Sequence, residues 1–173
     1  MKDKSKIIII VVIAILLILL VAANSTNKKK TKEEEQKKVE DILTKAENDS
    51  KSISDNEKRQ FTNIDIDKFI EDYQSSEYNI VLIASPTCHY CELAEPILQN
   101  IAYVNDLNIE YLDISTLNDE ENSRLNNCDE FFKGGVGTPL LLILGDNSII
   151  NKVDGLVDRS TYMDFFIKTN IIR

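Results

Sequence analysis

Residues Asn79-Ile-Val-Leu-Ile-Ala84 offer almost no polar face to water. A short run that is apolar at consecutive positions and rich in β-branched side chains reads as a strand buried on both faces. Such a strand needs helices above and below its sheet, and the flanking sequence supplies them. Asp65 or Asp67 can cap a short helix carrying Lys68, Phe69, Ile70 and Tyr73. Beyond the strand, Glu92 to Val104 reads as a helix broken or kinked at Pro96. Asn108 to Ile114 alternates as a strand does, and Asn118 to Phe132 reads as a polar helix. Asn118 caps that helix, with Asp119, Glu120 and Glu121 in its first turn. After the glycine-rich Gly134–Pro139 loop, Leu140–Leu144 forms a strand. Gly145-Asp-Asn147 then turns it into a hairpin partner, Ser148–Val153. Gly155 ends that strand, and Asp158 to Thr169 closes the chain as a helix with Tyr162, Phe165 and Phe166 inward. The order β-α-β-α-β-α-β-β-α predicts an α/β fold, a three-layer sandwich around a mixed sheet.

The residues before this domain, which the pattern places at 61–173, have a different character. A basic leader, 1–6, precedes an apolar run from Ile7 to Ala23 that contains no charge. As a helix the run is about 26 Å long, close to the hydrocarbon thickness of a thin bilayer. The reading is a single transmembrane anchor. Val21-Ala22-Ala23 leaves open a signal peptide cleaved after Ala23, although the run is longer than a usual signal core. No cysteine follows closely, which excludes a lipid-modified lipoprotein. Lys28, Lys29, Lys30 and Lys32 lie beyond the run and argue for a cytoplasmic downstream side. The short basic leader argues for export, and the expected topology puts the C-terminal domain outside the cytoplasm. Residues 24–60 form a charged linker, expected to be helical over roughly 32–48, where Val39, Ile42, Leu43 and Ala46 make one apolar stripe.

Charge is distributed unevenly. Residues 1–60 sum to about +3 and residues 61–173 to about −12, within a net charge of −9. An acidic domain of this kind repels phosphate backbones, so nucleic acid is not an expected partner.

The chemistry is concentrated in Ser85-Pro-Thr-Cys-His-Tyr-Cys91. This stretch holds two of the three cysteines and the only histidine. Cys88 falls in the turn leaving the apolar strand, and Cys91 in the first turn of the next helix. Unpaired backbone N–H groups and the positive end of the helix dipole converge there and favour a thiolate. The two-residue spacing lets Cys91 resolve a mixed disulfide formed on Cys88. His89, if protonated, would favour the thiolate further; a solvent-facing histidine at a helix start is the alternative. Half of a zinc site has the same cysteine spacing, with Cys128 as a conceivable third ligand, and two inert buried thiols are the remaining option. Redox exchange fits the placement of the pair best.

The segment Ile80 to Arg173 resembles the thioredoxin superfamily. Cys-x-x-Cys follows an apolar strand, Thr138-Pro139 lies between a helix and a strand, Pro96 stands eight residues after Cys88, and Gly155 separates the last strand from the last helix. The resemblance implies a cis-proline at Pro139 facing the redox pair, with Thr138 and Pro139 binding the client backbone. Pro86-Thr-Cys-x-Tyr-Cys91 and the N-terminal run are similar to membrane-anchored thioredoxin-like proteins of Gram-positive bacteria, including those called bacteriocin transport accessory proteins. Two departures stand out. Thr87 replaces the family's usual tryptophan, and Leu82 occupies the place of a buried acid that helps move the proton of the second sulfur.

The expectation is therefore a membrane-tethered thiol–disulfide oxidoreductase, with the reductase direction favoured. Cys88 is the nucleophile and Cys91 the resolving thiol; Thr87, His89 and Tyr90 tune the pair. Its expected partners are protein or peptide clients with thiols or disulfides, the membrane through Ile7 to Ala23, and a redox partner protein. No cofactor and no metal is called for. The alternative is a non-catalytic module of the same fold, or an accessory subunit of a secretion system. Cys128 is expected to be a partly buried free thiol, with a regulatory disulfide as the sharper alternative.

Overall fold

The computed structural model describes residues 34–172. The leader, the apolar run at 7–23 and the first part of the linker lie outside the described residues. Among the described residues no helix is long and apolar enough to cross a membrane. The chain divides into two compact units, Met1–Asp41 and Ile42–Arg173. What is described of the first, 34–41, is helical and exposed.

The second unit opens with the rest of that helix, α1, which spans 34–52. Of the apolar stripe, Ala46 is fully buried in the core whereas Val39 stays half exposed. Lys45 pairs with Asp158 at 3.5 Å. There follow β1 (Thr62–Asn63), α2 (Ile66–Gln74), β2 (Asn79–Ala84), α3 (His89–Asn105), β3 (Glu110–Asp113), α4 (Asp119–Cys128), β4 (Leu140–Gly145), β5 (Ser148–Asp154) and α5 (Arg159–Lys168). The predicted order is observed. Its first strand, to which the pattern assigned no residues, is the two-residue β1.

Five strands form one sheet in the order β1-β3-β2-β4-β5. β3 runs parallel to both β1 and β2, while β4 is antiparallel to β2 and to β5. β2 is central and serves both faces. Ile80, Leu82 and Ala84 join a core under α3 and α5, and Val81 and Ile83 join a second core under α2. The sheet therefore lies between two helical layers, as a strand without a polar face requires.

Local chemistry sets the element ends. Asp65, not Asp67, caps α2 and accepts from the Lys68 amide at 2.9 Å. Asn118 caps α4 in a reciprocal box with Glu121, whose carboxylate accepts from the Asn118 amide at 2.8 Å. The expected helix to Phe132 stops instead at Cys128. Extended Asp129 accepts from the Phe131 amide at 2.9 Å and starts a separate 3-10 turn at Glu130–Gly134. Such a side chain competes with the helix for backbone donors. β3 is shorter than Asn108–Ile114 for a related reason: Asp113 takes the Ser115 amide into another 3-10 turn. α3 runs through Pro96 as one continuous helix, so of the expected break or kink the break is not found. Asp146 and Asn147 both adopt positive φ, the pairing that suits a two-residue hairpin between β4 and β5.

One polar pair lies inside the second face. Asp72 of α2 and Glu110 of β3 are both buried, and Lys68 pairs with Asp72 while standing 3.9 Å from Glu110. Burial above all, and then the neighbouring Asp72 carboxyl, pushes the Glu110 carboxyl up to about 7. The folded protein thus holds a proton that the unfolded chain releases near 4.5. This contribution to stability is fully present below that value and is lost as pH rises through about 7. We predict that Glu110→Gln flattens the fall in urea stability between about pH 5 and pH 8 relative to wild type. An unchanged slope contradicts the assignment.

Candidate active site

The carboxyl end of β2 leads into a tight turn, where the Cys88 amide donates to the Ser85 carbonyl at 3.0 Å. Cys88 then caps α3. Its backbone is extended, and its Sγ accepts the amide of Cys91 at 3.3 Å. Sulfur does here what a serine or aspartate oxygen does at other helix starts. The site's second wall is the loop before β4. Thr138-Pro139 is a cis peptide, as the resemblance implied, and the Thr138 carbonyl accepts from the Cys88 thiol at 3.4 Å. Pro139 is anchored in turn by the Gly155 amide, which donates to its carbonyl at 2.9 Å. Gly155 has a φ of 83°, open to glycine at little cost.

The two sulfurs differ in environment. Both are free thiols, Cys88 partly exposed and Cys91 fully buried. Partial burial pushes the Cys88 thiol up. Hydrogen bonds involving the Cys91 thiol, the Thr138 side chain and the amides of Cys91 and Tyr90 outweigh it, and the net value lies below the ordinary one. Cys91 goes the other way: burial, then its hydrogen bond and charge interaction with Cys88, push it up to about 12. A partly exposed sulfur whose ionisation is favoured thus lies beside a buried one whose ionisation is opposed.

The other expected residues distribute as follows. Tyr90 is 46% exposed beside the thiol, and its contribution to Cys88 comes through its backbone amide. Thr87 is exposed, with its hydroxyl 3.1 Å from that of Ser85. His89 points outward, its Nδ1 3.4 Å from Glu92 Oε2, and is not among the main influences on Cys88. Cys128 lies against the core on the opposite face of the sheet from Cys88 and Cys91. Burial pushes its thiol up to about 11.

Three groups near the buried sulfur were not assigned to the site by sequence reasoning, although Tyr162 was read as facing inward. Glu95 follows Cys91 by one helical turn and accepts a hydrogen bond from the Tyr111 hydroxyl at 3.2 Å. Tyr162 of α5 is buried in the same core as Cys91. The four-residue step from Cys91 to Glu95 is a signal the sequence does carry. Tyr111 depends on strand register, which places it opposite Leu82.

This asymmetry predicts an order of reaction with iodoacetamide. Near neutral pH Cys88 is labelled first, and its rate rises with pH about a midpoint below the ordinary 9.0. Cys91 and Cys128 lag far behind; peptide mapping by mass spectrometry reads the order, and early labelling of Cys128 contradicts it.

No protein-family model matches this chain, and no curated protein matches it. Solved structures do. Thioredoxin f2 of Chlamydomonas reinhardtii is 14% identical with a TM-score of 0.51, over 66% of this chain and 100% of that one. Thioredoxin of Trypanosoma brucei brucei is 13% identical with a TM-score of 0.50, over 65% and 92%. At this identity the likeness speaks for architecture: the chain has the thioredoxin fold, built on a mixed five-stranded sheet.

Proposed function

We propose that the chain is a thiol–disulfide oxidoreductase that reduces disulfides in protein or peptide clients, tethered to a membrane with its domain outside the cytoplasm. The observation that carries the chemistry is the Cys88 sulfur, which caps α3 and faces the carbonyl of the cis Thr138-Pro139 peptide. The tether rests on the apolar run Ile7 to Ala23, and the orientation on the short basic leader before it.

The steps follow from the asymmetry of the sulfurs. Cys88, as thiolate, attacks one sulfur of a client disulfide; the S–S bond breaks, a mixed disulfide forms, and the other client sulfur leaves as thiolate. The amides of Cys91 and Tyr90, which lower the Cys88 thiol, stabilise its anion before attack. Cys91 then loses its proton and attacks the Cys88 sulfur. A Cys88–Cys91 disulfide forms and the second client sulfur is released. Two electrons pass from the protein to the client, and a redox partner protein must restore the dithiol. The loop at Thr138 lies against the attacking sulfur, where an extended client backbone can run alongside it, and exposed Tyr90 offers an aromatic surface.

Two variants test the roles. Cys88→Ser abolishes exchange with a model disulfide. Cys91→Ser still attacks but accumulates mixed disulfides, seen on a gel as adducts removed by reductant. Unchanged turnover in both variants contradicts these roles; a chain that neither turns over the disulfide nor forms client adducts is instead a non-catalytic binding module of the same fold. The tether has its own test: removing residues 1–23 shifts the chain from the carbonate-washed membrane fraction to the soluble one. Retention in the membrane contradicts the anchor.

A further inference from the structure

The resolving step requires a proton acceptor. Cys91 is fully buried with its thiol pushed up, so few molecules carry the thiolate at neutral pH. Central strands offer no base: the side chains of β2 and β4 on this face are Ile80, Leu82, Ala84, Leu141 and Ile143. The ionisable groups linked electrostatically to Cys91, Glu95 or Tyr111 are Glu92 and Glu95 on α3, Tyr111 and Asp113 on β3, Tyr162 on α5, and Cys88 itself. Both tyrosines are pushed up, mainly by burial, and hold their protons. Glu92 is exposed and bonded to His89. Asp113 is committed to the Ser115 amide and hydroxyl.

Glu95 is different. It stands one turn beyond Cys91, so the two side chains lie on one helix face with Cβ atoms about 5–6 Å apart. That separation is spanned by a carboxylate directly or through one water. Tyr111 fixes the carboxylate through its 3.2 Å hydrogen bond, and its own ring is held by stacking on Phe61 at 5.9 Å. The charge of a Cys91 thiolate is among the influences on Tyr111, which places the phenol within electrostatic reach of that sulfur. Burial, partly offset by Tyr111, raises the Glu95 carboxyl, and Asp113 and Glu92 raise it further. A carboxyl so shifted is a better match to a thiol than an ordinary one.

We propose that Glu95 is the base that takes the Cys91 proton during resolution, and that Tyr111 is the positioning residue that holds it. The inference rests on the exchange reading given above. The Cys91 S–H proton passes to the Glu95 carboxylate, and the thiolate attacks Cys88 Sγ of the mixed disulfide. The Cys88–Cys91 bond forms as the client–Cys88 bond breaks, and the departing client thiolate takes a proton from Glu95 or from solvent.

Single-turnover reaction with dithiobis-nitrobenzoate separates the steps, using the full chain with Cys128→Ser to remove the third thiol. Attack by Cys88 releases one thionitrobenzoate, and resolution by Cys91 releases the second. In Glu95→Gln the second phase slows by about 10²-fold relative to the first, the lower end of general-base effects, and its pH profile moves upward. Glu95→Asp regains part of the rate. Tyr111→Phe keeps the ring stack and removes only the hydroxyl; it slows the second phase and changes its pH profile. A second phase with unaltered ratio and pH profile in Glu95→Gln overturns the role while leaving exchange intact. Should Glu95→Gln not fold, an unaltered second phase in Tyr111→Phe overturns it instead. Absence of both phases in the parent protein defeats the exchange reading, and this inference with it.

Discussion

One interaction organises the site: the amide of Cys91 donates to the sulfur of Cys88. It starts a helix and favours the anionic form of the Cys88 sulfur in the same stroke. A helix N-terminus leaves amides unpaired and concentrates positive potential, and a thiolate there satisfies both. The cost falls on Cys91, whose sulfur is carried into the core by the first turn. The buried thiol and the accessible one are thus two consequences of a single cap. β2 matters because it delivers that cap. Its apolar faces fix the strand at the centre of the sheet, so that the turn at Ser85 meets the loop at Thr138.

The side of the sheet that holds the sulfurs is notably poor in charge beneath the pair. Leu82 and Leu141 are packed with almost no exposure. An acid at position 82 would rest against that apolar surface; with leucine there, ionisable groups approach Cys91 only from α3, β3 and α5. The opposite side keeps its own buried carboxyls, Asp72 and Glu110, near the amino end of β3. The two polar clusters occupy different faces, so the titration of Glu110 bears on stability and that of the sulfurs on reactivity.

Much of the architecture was legible because it depends on local pattern. β2 has the bounds its apolar run indicated, and α5 buries Tyr162, Phe165 and Phe166 as its spacing required. The reading failed where side chains compete with regular structure. Asp113 and Asp129 each divert a backbone amide into a 3-10 turn, shortening β3 and α4. Pro96 forfeits one hydrogen bond inside α3, but the buried residues on both sides of it, Ala94, Ile97 and Leu98, hold the helix through that point. At the site, the cysteine spacing was visible in the chain, whereas the cis geometry at Pro139 was anticipated only through resemblance. His89, beside Cys88 in sequence, turns to Glu92, because adjacent helical residues point in different directions. The Tyr111–Glu95 and Asp72–Glu110 pairs join separate elements, and a single sequence does not reveal such register.

The central claim is that Cys88 and Cys91 form a reversible two-electron couple. It is tested most directly by equilibrating the protein in glutathione buffers of graded potential and quantifying the intramolecular disulfide by mass spectrometry. The account predicts one two-electron transition between dithiol and Cys88–Cys91 disulfide, near the roughly −270 mV characteristic of a reductase. A pair that stays reduced at every potential, or that accumulates only glutathione adducts on Cys88, would contradict it.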